Sequence, residues 1–274
     1  MVGWMIPACY PQKEVSGYTQ EDNKIDPTNT IIIAPTRSFT HTATITIIKT
    51  STIKITPSGT LIPVSNPVPS NTPTPTALPD EYYITDIEGH HQYFKLGCEA
   101  AAAVDWAAFY GIQINEFEFQ YRLPISDNPD IGFVGNVDDP WGQVPPYSYG
   151  VHAKPIADLL RQYGLPALGK KDLTIDQLKD QIANHHPVIA WVIGNCVGGI
   201  PYQYQDKEGN YVTVAAYEHV IIITGYNSDA IRYLNNGIFY DIPMKVFENS
   251  WKVLGNMAVV MDLEDPMLAA LEKK

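Results

Sequence analysis

The sequence predicts an α+β domain, and two observations carry that prediction. Residues 98–110 are rich in alanine, nearly free of charge and bounded by Gly97 and Gly111, which is typical of a helix buried on nearly every side. The second half of the chain contains short apolar runs separated by turn sequences, as in an antiparallel sheet. We therefore expect an N-terminal helical half, with the alanine-rich helix at its centre, packed on an antiparallel sheet.

Composition and charge exclude several classes of partner. The chain has 274 residues, 45% of them hydrophobic, which is enough for one good-sized domain with an appendage. Its formal charge of −12 would repel nucleic acid and anionic membrane surfaces, so neither is expected as a partner. No transmembrane segment is expected, because no run of about eighteen apolar residues occurs.

The first segment, residues 1–34, is interpreted as an N-terminal remnant. Its start lacks a basic leader and is too short for a complete signal peptide. Residues 5–9 loosely resemble a bacterial lipobox, in which Cys9 would be the lipidated residue, although a proline two positions before the cysteine is unusual. The segment is therefore either the end of a truncated lipoprotein signal, with a lipid anchor at Cys9, or an unremarkable terminus.

Residues 35–80 form a predicted Thr/Ser/Pro-rich linker. Such a segment has too little apolar surface to offset its ordering entropy, so it is expected to stay extended, although residues 44–56 alternate Thr with Ile and could pair as a strand. The folded domain is expected at 81–264, followed by a C-terminal tail at 265–274. A stalk of this kind, with a lipid anchor, would hold the domain at the outer surface of a cell; a linker to a lost domain is the alternative.

The elements after the alanine-rich helix follow from local patterns. Residues 124–150 are rich in Gly, Pro and Asp, and so long an irregular stretch predicts the rim of a cleft. Apolar positions at helical spacing predict a helix at 155–163 and, after the capping box at Thr174, a second helix that ends at His185-His186-Pro187. Apolar runs predict strands at 188–194, 217–226, 230–234 and 257–261, a hairpin at 202–214, and a helix opened by Pro243.

Cys98 is the candidate nucleophile. It lies in the first turn of the alanine-rich helix, where unpaired N–H groups and the macrodipole favour a thiolate. Gln92 lies six residues upstream, where its amide could join the N–H of Cys98 in holding an oxyanion. The alternative is that Cys98 is a small core residue, as is expected for Cys196. The three cysteines are odd in number and far apart, so neither a disulfide framework nor a metal site is predicted.

His219 is the candidate base. It lies near the start of a strongly apolar strand, and it could take the proton of a thiol and later donate it to a leaving amine. A carboxamide on the adjacent strand would orient the imidazole by accepting its other N–H. Taken alone, His219 could equally be a core histidine whose hydrogen bonds are satisfied.

Residues 92–260 resemble the secreted papain-like cysteine peptidases related to the bacteriocin-processing (double-glycine leader) peptidase domain. The resemblance rests on Gly97-Cys98-Glu99-Ala100 after Gln92 and on the run from Glu218-His219 to Gly225-Tyr226. It implies a papain-like cysteine peptidase fold, with Cys98 as nucleophile, His219 as base and Gln92 as oxyanion donor.

The third catalytic position departs from the pattern of that family. The family usually has Asn-Asp-Pro after the strand that follows the histidine, whereas this chain has Asn235-Asn236-Gly237. The resemblance therefore implies that Asn236 orients His219. Asn235 stays open as the alternative, because strand parity decides which side chain faces the imidazole.

The predicted function is hydrolysis of peptide bonds in a peptide or protein substrate, through a Cys-His-Asn triad that uses no metal and no cofactor. The enzyme is expected to be exported and tethered to the cell surface. Two alternatives remain: a peptidoglycan endopeptidase or amidase of the NlpC type, and a non-catalytic module that binds peptides in a papain-like cleft.

Overall fold

The computed structural model describes residues 77–271. The predictions for Cys9, for the segment 1–34 and for a strand at 44–56 concern residues outside this range, as does the linker up to residue 76. Within the described part of the chain, no helix has the length and apolar character needed to cross a membrane.

A seven-stranded antiparallel sheet forms the frame of the domain. The strands of residues 77–271 are β1 (Tyr82–Tyr83), β2 (Ala167–Lys170), β3 (Val188–Ile193), β4 (Tyr202–Gln205), β5 (Tyr211–Val214), β6 (Glu218–Tyr226), β7 (Ala230–Asn235), β8 (Ile238–Pro243) and β9 (Ala258–Met261). The order in the sheet is β2-β9-β3-β6-β7-β8, with β1 pairing at the C-terminal end of β6, and β4 and β5 form a separate hairpin.

Six α-helices accompany the sheet in the described part of the chain, and the first is the buried helix that the sequence predicts. They are α1 (Cys98–Phe109), α2 (Glu116–Arg122), α3 (Ala153–Gln162), α4 (Ile175–Ala183), α5 (Met244–Trp251) and α6 (Leu268–Leu271). Ala100, Ala103 and Ala107 are fully buried, because a methyl side chain lets the helix pack closely against β6. The α+β class and the central helix are confirmed.

The position of α1 is fixed by one hydrogen bond from within the helix and one from the residues just before it. The indole of Trp106 is fully buried and donates to the carbonyl of Pro187, 2.7 Å away, just before β3. At the other end, the N–H of Leu96 donates to the carbonyl of Val137 in the long irregular loop. These bonds therefore fix the position of Cys98 relative to the sheet.

Five elements were missing from the sequence prediction, namely β1, α2, β2, β8 and α6, and none of them shows a clear hydrophobic period. α2 has seven residues, too few for a helical repeat to stand out, and β2 has only four. β8 is an edge strand with mostly exposed residues, so it shows no apolar pattern. Pro243 is its last residue, and α5 begins at the next position. The predicted tail contains α6, whose Leu268 and Leu271 pack against the core.

Candidate active site

Cys98 is the first residue of α1, and β6 lies beside its sulfur. The thiol is almost completely buried, with 8% of the residue exposed, and the backbone of Val220 lies close enough to Sγ to lower the pKa of the thiol. Val220 directly follows His219 in β6, so the strand that carries the predicted base also touches the predicted nucleophile. α1 and β6 thus bring together two residues that are far apart in the sequence.

His219 is hydrogen bonded to Asn235, with 3.0 Å between Nε2 and Oδ1. Because the carboxamide oxygen can only accept, Nε2 carries the hydrogen and Nδ1 is left as the basic nitrogen. Burial lowers the pKa of His219, and the hydrogen bond to Asn235 opposes part of that effect. An imidazole in this state is neutral and ready to accept a proton at Nδ1.

Asn235, and not Asn236, makes this contact, so the assignment of the orienting role to Asn236 is corrected. Ile222 pairs with Leu234, and continuing the register places Asn235 opposite Ile221, on the sheet face that also carries His219. Asn236 and Gly237 then form a two-residue turn with φ of 50° and 77°, as a type I′ hairpin requires. The turn carries Asn236 out of the strand alternation.

Asn236 has a different place in the site. Its Oδ1 accepts the backbone N–H of Gln92 at 3.1 Å, and its Nδ2 lies 3.3 Å from Oδ1 of Asn235. Asn236 therefore connects the loop before α1 to the residue that holds the imidazole.

Gln92 lines the same groove as Cys98, but its amide, predicted as an oxyanion donor, is engaged within its own loop. Nε2 donates to the carbonyl of Phe94 at 2.7 Å and to that of Lys95 at 3.3 Å. Both hydrogens of the amide are therefore used in this conformation. The structure places Gln92 beside the nucleophile without directing its donors toward the sulfur.

One open groove of about 440 Å³ collects the predicted residues. Cys98, His219, Asn235, Asn236 and Gln92 all line it, together with His91, Tyr93, Phe94, Lys95, Trp141 and Asn195. Trp141 comes from the irregular stretch 124–150, so that stretch does contribute to the rim of the cleft. A groove open at the surface suits an extended chain as a ligand.

Two buried glutamates lie next to the thiol, and no sequence pattern had singled out Glu218. Sγ of Cys98 donates to Oε2 of Glu99 at 3.2 Å, and Oε1 of Glu99 accepts the N–H of Val151 at 2.7 Å. Glu218 is 3% exposed, and its Oε1 has no hydrogen-bond partner. Ligand atoms of Cys98, Glu99 and Glu218 all lie within 4.8 Å of one another.

This cluster reverses the predicted state of the thiol. Burial, followed by the charges of Glu99 and Glu218, raises the pKa of Cys98 well above its ordinary value, although the N–H of Val220 acts in the opposite direction. The prediction that the helix N terminus pushes Cys98 toward a thiolate is therefore wrong for the resting site. Burial of the sulfur, reinforced by the charges of Glu99 and Glu218 where these are ionised, outweighs the effect of the helix terminus.

The glutamates themselves favour their neutral forms. Burial raises the pKa of Glu99 to about 7, although its hydrogen bonds to backbone N–H groups and to Cys98 oppose the shift. Burial, and then the charge of Glu99, raises the pKa of Glu218. A thiol and two carboxyls could also hold a divalent cation. Without a cation, a proton on one of the two glutamates removes the repulsion between them, because two carboxylates this close do not both ionise.

Gly150 closes the cluster from the side of the long loop. Its φ is 132°, and a Cβ added there would lie 2.2 Å from Oε1 of Glu99 and 3.3 Å from Oε2 of Glu218. Only glycine leaves room for both carboxyls at this point.

His90 supports the loop before Cys98 and was not predicted. Its Nδ1 and Nε2 lie 2.6 Å from Asp105 of α1 and 2.6 Å from Glu116 of α2. Burial lowers the pKa of His90, but the hydrogen bonds and charges of the two carboxylates outweigh it, so the net shift is upward. The sequence shows only two adjacent histidines and no feature that would have identified the one with two partners.

Comparison with known proteins supports the resemblance to a family of cysteine peptidases. Residues 84–259, more than half of the chain, match the model of the Peptidase_C39 like family. A solved structure described as a putative C39-like peptidase from Bacillus anthracis is 18% identical, with a TM-score of 0.59, and the match covers 67% of this chain and 98% of that one. At this identity the structural likeness shows the fold.

Two further solved structures are more distant. A double glycine motif protease from an AMS/PCAT transporter, in complex with its leader peptide, is 14% identical with a TM-score of 0.36, covering 65% of this chain and 96% of that one. Xylellain, a cysteine protease from Xylella fastidiosa, is 14% identical with a TM-score of 0.38, covering 68% and 86%. No curated protein sequence matches. The family match over residues 84–259 confirms the resemblance inferred from the sequence: the chain belongs to the Peptidase_C39 like family and is a cysteine-type peptidase.

Proposed function

We propose that the chain hydrolyses peptide bonds through Cys98, His219 and Asn235. The observation that carries the proposal is the 3.0 Å hydrogen bond from His219 to Asn235 in the groove that Cys98 lines. This bond fixes the tautomer that leaves Nδ1 free to act as a base. The peptide or protein substrate would occupy the groove as an extended chain.

The chemistry follows from these roles. Nδ1 of His219 takes the proton of Cys98, and the sulfur attacks the peptide carbonyl carbon. The imidazolium then gives its proton to the leaving amine, the C–N bond breaks, and a thioester joins the acyl part to Cys98. Water, deprotonated by His219, attacks the thioester; the acid product leaves and the thiol is restored.

Oxyanion stabilisation would come from the N–H of Cys98 and from Gln92. The amide of Gln92 donates to two carbonyls of its own loop in the resting site, so one of these bonds must be exchanged for a bond to the substrate. Asn236 supports this role, because its bond to the N–H of Gln92 fixes the backbone from which the amide extends. The amide can then move while its backbone stays in place.

Export and tethering to the cell surface are a separate part of the proposal. They are supported by the lipobox-like residues 5–9 and by the Thr/Ser/Pro-rich segment 35–80. Expression in bacteria fed a palmitate analogue, with the leader of a bacterial lipoprotein signal fused before residue 5, tests the anchor. Wild type should carry the label and the Cys9→Ser variant should not; an unlabelled wild type contradicts the anchor.

The peptidase proposal is tested with a thiol-directed electrophile and a peptide library, using the full chain. Wild type should be labelled at Cys98 and should cleave peptides, whereas Cys98→Ala should lose both properties. The matched control is Cys196→Ala, because Cys196 is also a buried free cysteine but lies outside the groove. Retention of cleavage by Cys98→Ala would end the proposal, as would loss of cleavage in a folded Cys196→Ala.

A further inference from the structure

An exposed apolar hollow of about 380 Å³ lies beside the catalytic groove. Its walls are Trp141, Ile193, Val197, Ile200 and Tyr217, and its remaining lining residues are glycine or alanine. Ile200 is 86% exposed, and Val197 and Tyr217 are each 54% exposed. Several large apolar side chains clustered at the surface in this way are typical of a binding site.

The wall nearest the groove is firmly held. The indole N–H of Trp141 donates to the carbonyl of Glu218 at 2.7 Å, and its ring meets that of Tyr217 edge-on at 5.1 Å. Gly142 makes this packing possible, because a Cβ there would lie 2.4 Å from the Tyr217 ring. The hollow is therefore formed before any ligand binds.

Trp141 also connects the hollow to the catalytic groove, since it lines both. Its ring lies 6.2 Å from the imidazole of His219. In the proposed reaction, His219 gives its proton to the leaving amine, so the residues that follow the scissile bond must pass His219 and Trp141. A peptide advances about 3.3–3.6 Å per extended residue, so the first or second residue after the scissile bond reaches Trp141.

We propose that this hollow is a binding subsite for a large apolar side chain, such as Leu or Phe, at the first or second position after the scissile bond. The inference rests on the proposed peptidase function and adds a substrate class to it. None of the residues that line the hollow is charged, so a charged side chain placed there would lose hydration and gain no ion pair. The hollow therefore disfavours charged substrate side chains and favours large apolar ones.

The test is a cleavage profile of the full chain on a peptide library that is randomised on both sides of the scissile bond. Wild type should prefer Leu or Phe over Asp in the first two positions after the bond by roughly 10-fold or more in kcat/KM. Ile200→Asp should reduce that preference several-fold and shift it toward Lys and Arg, and Ile200→Lys should shift it toward Asp and Glu.

The matched control is Ile125→Asp, which changes another strongly exposed isoleucine, 74% exposed, outside both cavities. Its cleavage profile should equal that of wild type. Efficient cleavage with no selection after the bond, or an unaltered profile in both Ile200 variants, would overturn the subsite and leave the peptidase function standing. Absence of cleavage of every peptide by wild type would overturn both.

Discussion

The thiol of Cys98 donates a hydrogen bond to the carboxyl of its neighbour Glu99, with 3.2 Å between Sγ and Oε2. The same carboxyl accepts the N–H of Val151, so it is held in place from two sides. A nucleophile that must lose a proton thus rests against a group whose charge opposes that loss. Ionisation of Glu99 therefore adds to burial in raising the pKa of Cys98.

Replacing Glu99 should make the thiol more reactive. Above a pH of about 7, Glu99 becomes ionised and its charge disfavours the thiolate. Glu99→Gln keeps an acceptor for the N–H of Val151 but removes that charge. We expect the midpoint of the pH dependence of Cys98 alkylation to fall by about one unit, a roughly 10-fold faster reaction at alkaline pH.

The alkylation rate at Cys98, followed by mass spectrometry across pH, measures this effect. Glu208→Gln is the control, because Glu208 is exposed in the β4–β5 hairpin and should leave the profile unchanged. Coincident profiles of wild type and Glu99→Gln would show that the carboxylate does not influence the thiol.

Glu99 should also make stability depend on pH. Its pKa rises on folding from 4.5 to about 7 because the charged form is buried. The stabilising contribution of the neutral form is fully present below 4.5 and is lost as the pH rises through about 7, which lowers the free energy of unfolding by roughly 3 kcal/mol. Urea unfolding across this range should show a smaller decline for Glu99→Gln than for wild type; equal declines would contradict the assignment.

The two neighbouring asparagines should differ in their effect on catalysis. Asn235→Ala removes the acceptor for Nε2 of His219, so kcat should fall by roughly 100-fold. Asn235→Asp should restore part of the rate and shift the acidic limb of the pH profile upward, since a carboxylate favours the imidazolium.

Asn236→Ala should instead act through the loop at Gln92, with a loss of kcat of about 10-fold or less and no shift of the acidic limb. Steady-state kinetics of the three variants across pH decide between the two residues. A larger loss in Asn236→Ala than in Asn235→Ala would reverse the assignment of the orienting role.

His90 should contribute more to stability than its neighbour. His90→Ala leaves Asp105 and Glu116 without their shared partner, and their side chains are only 14% and 2% exposed. We expect a loss of about 2 kcal/mol in the free energy of unfolding. His91→Ala removes an exposed side chain and should stay within about 0.5 kcal/mol. Denaturant unfolding of both variants checks the difference, and equal losses would be inconsistent with it.

The sequence was sufficient for features that depend on local pattern. The buried α1, the capping box at Thr174 and the β4–β5 hairpin follow from composition, spacing and turn residues, and the structure contains all three. A helix start and a strand start are local signals that made Cys98 and His219 candidates, and the resemblance to papain-like peptidases paired them.

Features that depend on three-dimensional register could not be read from the sequence. The choice of Asn235 over Asn236 required the exact end of β7 and the positive φ at Asn236. Glu218 reads as an ordinary strand start, and only the packing of α1 on β6 shows that it shares a buried cluster with Glu99. Helix position alone predicted a thiolate at Cys98, because the opposing charge comes partly from a residue that is distant in the sequence.

The fit between Gly150 and the two carboxyls constrains how this site can change over evolutionary time. Any larger residue at position 150 needs space that Glu99 now fills, so the loop and the helix start must be substituted together. A relative with a side chain at that position is expected to have a shorter residue in place of Glu99 or Glu218. Its thiol would then lack one of the charges that raise the pKa of Cys98.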